Sequence, residues 1–327
     1  MKRLNNDDLR ALTVGAVSIE EDKNGILHFY KYTRAQMDGF GKWNEKSPVL
    51  CTTGVRLDFH TDSSTLVFAA AFPGKYEVYI DSQLRYYLPV GPAKYGGRYA
   101  VGEEISMDVC DSLGNKSDEH RITLYLPSHS IGGVSLLAID NCAYAVRHEF
   151  KTKFLMIGDS ITQGWESKYD SLSYANRVSR FFDAESIVQG RGGSYYKADT
   201  FEKLPGFEPD VVTVAYGVND FAHYKTLCEM QTQLCAYLDK LKVAYGDKKV
   251  FVILPIWFKN REGRPMGRFE DCRALIAREA LKRKFVCIDG LSFVPPLDDF
   301  FVDGLHPNDL GFSLFSENLI KEMQKYL

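Results

Sequence analysis

Apolar and polar positions alternate along the first half of the chain. GVRLDFHTD (54–62) sets Val55, Leu57 and Phe59 against Arg56, Asp58 and His60. That two-residue period belongs to a strand with one buried face. TLVFAAAF (65–72), KYEVYID (75–81), LRYYLPV (84–90), EISMDVC (104–110), RITLYLP (121–127) and VSLLAID (134–140) follow. Between them stand turn formers: Asp62-Ser63-Ser64, Pro73-Gly74, Asp81-Ser82, Gly96-Gly97 and Gly132-Gly133. Short strands punctuated in this way predict an antiparallel, jelly-roll-like β-sandwich. A parallel sheet needs crossover helices, and the segments between these strands are too short for them.

From about residue 151 the period changes. FLMIG (154–158), ESIVQG (185–190), DVVTVAYG (210–217), KVFVILPI (249–256) and FVCIDG (285–290) are apolar runs of strand length. Helical spacing fills the gaps. SYANRVSRFF (173–182) and CRALIAREALKRK (272–284) are amphipathic, and CEMQTQLCAYLDKLKVAY (228–245) puts Leu234, Tyr237, Leu238 and Leu241 on one face. FSLFSENLIKEMQKYL (312–327) closes the chain as a helix. Strand–helix alternation predicts a mostly parallel sheet covered on both faces, a three-layer α/β/α domain. A length of 327 residues fits this division into two domains, 1–150 and 151–327.

Charge and cysteine usage narrow the function. The formal charge of −3 gives no electrostatic reason for nucleic acid or an anionic membrane as partner. No window approaches the ~18 apolar residues of a membrane span. The N-terminus carries Asp7 and Asp8 and no continuous apolar run, so no secretory signal is read. Seven cysteines, without C-x-x-C spacing, read as buried free thiols of a cytoplasmic protein. They offer no zinc-ligand spacing, and neither metal nor cofactor is expected.

In parallel sheets, sites gather at the carboxyl ends of strands. Five loops qualify: GDSITQG after the first strand, GRGG (190–193) after the second, GVND (217–220) after the third, Ile256-Trp257-Phe258 after the fourth, and DGLHPN (303–308) before the last helix. Acyl transfer to water needs a nucleophile, a base, a group to orient the base, and donors for the oxyanion. Ser160 sits where a strand turns into a helix, exposed and beside amides that point toward developing negative charge. On position alone a helix-capping serine is the stronger reading. Gly190 and Asn219, each alone, read as turn residues. Asp303, three residues before His306, can hold the imidazole tautomer. Asp159 is expected to brace the turn or the loop carrying Asn219.

Taken together, the blocks Gly158-Asp159-Ser160-Ile161-Thr162, Gly190-Arg191-Gly192-Gly193, Gly217-Val218-Asn219-Asp220 and Asp303-Gly304-Leu305-His306-Pro307-Asn308 resemble the SGNH hydrolases, a branch of the GDSL esterases. The resemblance covers roughly 151–327. One departure is Gln189 before Gly190, where relatives often carry Asn nearby. The resemblance implies Ser160 as nucleophile, His306 as general base and acid, and Asp303 as its orienting group. It implies an oxyanion hole made of the N–H of Ser160, the N–H of Gly190 and the side-chain amide of Asn219.

Aromatic residues beside these blocks point to the substrate. Trp165, Tyr195, Tyr196, Trp257 and Phe258 are placed to flank the rim, where their faces can pack on sugar rings, although core packing accounts for such residues equally well. The N-terminal strands resemble the β-domain that precedes the catalytic domain in two-domain bacterial acetyl-carbohydrate esterases. That likeness implies a short-chain, acetyl-directed esterase acting on an acylated sugar or oligosaccharide. A lysophospholipase or thioesterase on the same scaffold, and an inactive carbohydrate-binding protein, are the rival readings. The sugar, the acetylated position and the oligomeric state, homo-oligomer included, stay open.

Overall fold

The computed structural model describes residues 1–42, 47–111, 113–114 and 118–327. It divides into two compact units, Met1–Lys31 with Glu45–Phe150, and Tyr32–Asn44 with Lys151–Leu327. The second unit thus combines Lys151–Leu327 with a short segment, Tyr32–Asn44, from within the 1–150 stretch.

In the first unit the alternating segments become antiparallel strands. One sheet runs Lys2–Arg3, Val134–Ile139, Thr65–Ala70, Ile105–Asp108 in spatial order. The other runs Val146–Arg147, Arg56–Thr61, His120–Tyr125, Gly74–Ile80, Gln83–Val90, with Thr13–Val14 added beside Arg56–Thr61. One core joins both sheets: Leu66, Phe68, Leu137 and Ile139 from the first, and Leu57, Phe59, Val78, Ile122 and Leu124 from the second. These are the apolar members of the alternating pattern, so the period set the inward face. Helix Asn6–Leu12 and hairpin Ser18–Glu21/Leu27–Tyr30 are additions that the alternation does not announce.

The second unit is a parallel sheet of five strands: β1 (Thr152–Gly158), β2 (Ala184–Gly190), β3 (Val211–Ala215), β4 (Lys249–Leu254) and β5 (Val286–Asp289). Their spatial order is β2-β1-β3-β4-β5. Its helices are α1 (Arg34–Gly39), α2 (Ser160–Gln163), α3 (Tyr174–Phe181), α4 (Val218–His223), α5 (Leu227–Tyr245), α6 (Phe269–Lys282) and α7 (Asp309–Met323). Helix α3 packs with α7, and α5 with α6. Strand residues Phe154, Leu155, Val212, Val214, Phe251 and Val252 are buried, as strands covered on both faces require. Helix α5 buries Met230, Leu234, Tyr237, Leu238, Leu241 and Tyr245, one stripe at helical spacing. The order places the topological switch between β1 and β3, whose carboxyl ends are where sheets of this kind hold their sites.

All seven cysteines are free. Only Cys51 and Cys272 are buried; Cys142 and Cys228 are exposed, because one follows a strand in a turn and the other opens α5 on its outer side. Among the described residues no helix is long and apolar enough to cross a membrane, and no group of three or more His, Cys, Asp or Glu is arranged to hold a metal ion.

Candidate active site

Strand β1 ends at Gly158, where a side chain would run into Thr162 and lie 2.9 Å from the Ala215 carbonyl oxygen. Only glycine lets the chain turn this sharply into α2. Asp159 is the N-cap, its Oδ1 accepting the Ile161 N–H at 2.9 Å. The capping role therefore belongs to Asp159. Ser160 is the first residue of the helix, and its N–H belongs to a first turn that has no intrahelical acceptor. Gly164, at φ 85, stops the helix after one turn.

Ser160 Oγ lies 2.8 Å from His306 Nε2. His306 Nδ1 lies 2.7 Å from Asp303 Oδ2. The other carboxylate oxygen, Oδ1, accepts the backbone N–H of Leu305 at 3.0 Å and of His306 at 2.8 Å. Burial pushes the Asp303 carboxyl up, but the His306 amide, the His306 ring and the Leu305 amide outweigh it and hold it below its usual range. Asp303 is thus a fixed anion behind the imidazole. A small clip holds the loop: Val302 N–H donates to His306 O, and Asn308 N–H to Phe300 O. Gly304 takes the left-handed φ of 75 that the turn requires, and Asn308 caps α7. Each polar or glycine position of DGLHPN thus has a separate task.

Gly190 closes β2, paired with Gly158. A Cβ there would stand 2.7 Å from Gln163 Cα and closer still to its nitrogen. The glycine is required because β2 abuts the backbone of the helix that carries Ser160; Arg191 N–H donates to Gly158 O at 3.1 Å, so the Gly190 N–H, expected as an oxyanion donor, faces the outer edge of the sheet instead. Gln163 is buried and accepts the Gly192 N–H at 2.8 Å, tying the second block to the first. Sequence reading assigned Gln163 no role, although it lies three residues after Ser160. Its burial, which makes the amide a tie between two loops, shows only in the fold.

Asn219 stands in the first turn of α4. Its Nδ2 donates to Ser194 O at 3.0 Å and, at 3.4 Å, to Asp159 Oδ2. Asp159 thus braces the turn with one oxygen and Asn219 with the other. Burial pushes its carboxyl up to about 7. Asp220 is deeper: Oδ1 accepts the Tyr196 N–H at 2.9 Å, and Oδ2 is buried without a hydrogen-bond partner. Burial, helped by the charge of Asp159, pushes Asp220 up to about 8 against the opposing Tyr196 amide. A carboxyl raised on folding holds its proton in the native state and loses it in the unfolded chain, so stability declines as pH climbs from about 4 through the raised value. Asp220→Asn should therefore gain thermal midpoint relative to the wild type as pH goes from about 5 to about 9, a trend that scanning fluorimetry reads directly.

The aromatic residues divide. Trp165 is 40% exposed, with its ring centroid 6.4 Å from that of His306, and its backbone N–H donates to Ser160 O at 2.9 Å. Tyr195 stacks on His223 of α4 at 4.0 Å. Trp257 is half-buried against Phe301, beside the clip that carries His306. Tyr196 and Phe258 are core residues: Tyr196 packs on Tyr216 and Tyr237, and Phe258 on Phe221 and Phe269. A position after a strand does not determine which way a side chain turns.

A sequence profile of the GDSL-like lipase/acylhydrolase family matches residues 156–314. No curated protein matches the chain by sequence. Solved structures share the fold over both units. A salicylyl-acyltransferase from a tetracycline biosynthetic pathway superposes with a TM-score of 0.83 at 17% identity, covering 99% of this chain and 97% of that one. An acetyl xylan esterase from the rumen bacterium Butyrivibrio proteoclasticus gives 0.65 at 13%, with 99% and 98% covered. A family two carbohydrate esterase from Clostridium thermocellum, solved with cellohexaose, gives 0.63 at 16%, with 84% and 93% covered.

Proposed function

We propose that this chain, which belongs to the GDSL-like lipase/acylhydrolase family, removes short acyl groups, acetyl foremost, from carbohydrate esters through an acyl-enzyme on Ser160. The observation that carries the reading is the unbroken chain Ser160 Oγ–His306 Nε2, 2.8 Å, and His306 Nδ1–Asp303 Oδ2, 2.7 Å. His306 takes the hydroxyl proton as Oγ attacks the ester carbonyl, and Asp303 stabilises the imidazolium that forms. The oxyanion is received by the N–H of Ser160 and by an amide N–H of Asn219 that gives up its 3.4 Å contact with Asp159 Oδ2. The tetrahedral intermediate collapses, the sugar alkoxide leaves with the proton from His306, and the acyl group stays on Oγ. Water then attacks the acyl-enzyme, giving its proton to His306, and the acid and Ser160 are released.

The short-acyl, sugar-directed part rests on the aromatic residues Trp165, beside His306, and Tyr195 and Trp257, and on the carbohydrate esterases among the structural relatives. Acetylated xylo- and manno-oligosaccharides assayed beside acyl-CoA and lysolipid test it. The expected kcat/KM for acetyl sugars exceeds that for long-chain substrates by about tenfold or more, a difference of about 1.4 kcal/mol in transition-state binding. A preference for long acyl chains would sink it. Acetate must also appear free in solution; transfer of the acetyl group to an added glycoside in preference to water would make the chain a transferase.

A further inference from the structure

Helix α1 belongs by sequence to the stretch between sandwich strands, yet it packs with the second unit. Thr33 caps it and accepts the Gln36 N–H, while Gln36 Oε1 accepts the Thr33 N–H. The same Gln36 side chain forms a reciprocal amide pair with Gln189: Gln36 Nε2 donates to Gln189 Oε1 at 3.1 Å, and Gln189 Nε2 donates to Gln36 Oε1 at 3.0 Å. Both residues are 1% exposed. Gln36 Nε2 also reaches Thr200 O at 3.3 Å.

Gln189 is the residue before Gly190, and the ties continue along the loop that follows. The Arg191 guanidinium lies 4.6 Å from the Phe40 ring centroid. Lys197 Nζ donates to Gly39 O at 2.6 Å. Gly39 itself sits so close to Asp199 that a Cβ would fall 2.6 Å from that carbonyl carbon. The segment held in this way, 189–200, contains Gly190 and Ser194. The Ser194 carbonyl holds a proposed oxyanion donor, the amide of Asn219.

We propose that Gln36 is a positioning residue for the oxyanion site: by pairing with Gln189 it fixes the end of β2 and, with Phe40 and Gly39, the loop whose Ser194 carbonyl orients Asn219. The inference rests on the acyl-enzyme reading above. A buried amide pair suits this task because each glutamine satisfies the other's donor and acceptor in one relative orientation only. An apolar contact would fill the space without fixing an angle. Donors displaced by a fraction of an ångström lose their grip on the transition state while the ground-state ester still binds.

The test uses Gln36→Met, close in length but unable to pair, and Phe40→Leu as a milder second variant. The probe is a fluorophosphonate, whose phosphorus bonds to Ser160 Oγ with loss of fluoride and whose P=O oxygen occupies the oxyanion site. Labelling is followed by intact mass, and kcat and KM on p-nitrophenyl acetate are referred to titrated sites. The expected result is a labelling rate and a kcat per site lowered about 10–100-fold in Gln36→Met, less in Phe40→Leu, with KM within about threefold of wild type. Unchanged rates per site in both variants, even with a lowered thermal midpoint, would show a merely structural pair and overturn the proposal while leaving the acyl-enzyme reading intact. Failure of wild-type Ser160 to label would overturn that reading itself.

Discussion

Ser160→Ala is expected to lower kcat on p-nitrophenyl acetate on the order of 10⁴–10⁶-fold with KM little changed, and to leave the thermal midpoint within a degree or two of wild type. The size of the kinetic effect follows from the geometry: the hydroxyl hydrogen-bonded to His306 Nε2 is that of Ser160. Without it His306 has no proton to take from the enzyme, and only the oxyanion donors and substrate binding remain. They can sustain a residual rate of about 10³ over water. The small stability effect follows from the same geometry. Asp159, not Ser160, caps α2, so alanine at the first helical position removes no capping bond and suits the helix. Loss of chemistry without loss of fold separates a nucleophile from a structural serine. A sugar-binding protein that had lost catalysis would show wild type and variant alike.

Asp303→Asn is expected to be the second most damaging change, lowering kcat by about 10⁴, and to be no better than Asp303→Ala. The reason is how the carboxylate is held. Oδ1 faces two backbone donors, the N–H groups of Leu305 and His306. An asparagine must present its oxygen there, which leaves its NH₂ facing His306 Nδ1. The imidazole is then driven to the tautomer with its proton on Nε2, opposite Ser160 Oγ, where it cannot act as a base. Alanine removes the orienting anion without enforcing the wrong tautomer. Because the folded carboxyl is held below its usual range, the carboxylate also contributes stability that is present above the unfolded value and lost as pH falls through the folded one. Kinetics of the two variants at neutral pH, with Tm measured for each, distinguishes a tautomer effect from loss of the loop.

Hydrophobic period made most of the architecture legible. The strand read at 54–62 is Arg56–Thr61, and the apolar runs at 210–217 and 249–256 are the buried centre of the parallel sheet, Val211–Ala215 and Lys249–Leu254. Helix Asn6–Leu12 was silent because it buries only Leu9 and Leu12 and owes its start to a capping box of Asn5 and Asp8. Helix α1 was silent for a stronger reason. Its buried residues are Met37 and a glutamine, and its docking runs through hydrogen bonds that no apolar pattern records. That is also why the pattern does not announce that this helix groups with the second unit.

At the site, the four blocks stood out in the sequence by their residue types at the ends of strands or before the last helix. The structure brings Ser160, His306 and Asp303 into one hydrogen-bonded line and sets Gly190 against the backbone of α2. The residues that hold these groups were not legible. Gln163, Ser194 and Gln36 act through a buried amide or a backbone carbonyl, and their partners lie up to 153 positions away in the chain. Among the aromatic residues after the strands, Trp165 stands exposed beside His306, while Tyr196 and Phe258 turn inward, a choice that position alone does not record.

The central claim is a covalent acyl group on Ser160 during turnover. Acid quenching of the wild type while it hydrolyses p-nitrophenyl acetate, followed by peptide mapping, tests it most directly. The account predicts a single acetyl group on the peptide bearing Ser160, on Oγ, formed in a burst that Ser160→Ala abolishes. Turnover with no acetylated Ser160, or with the acetyl group on another residue, would contradict it.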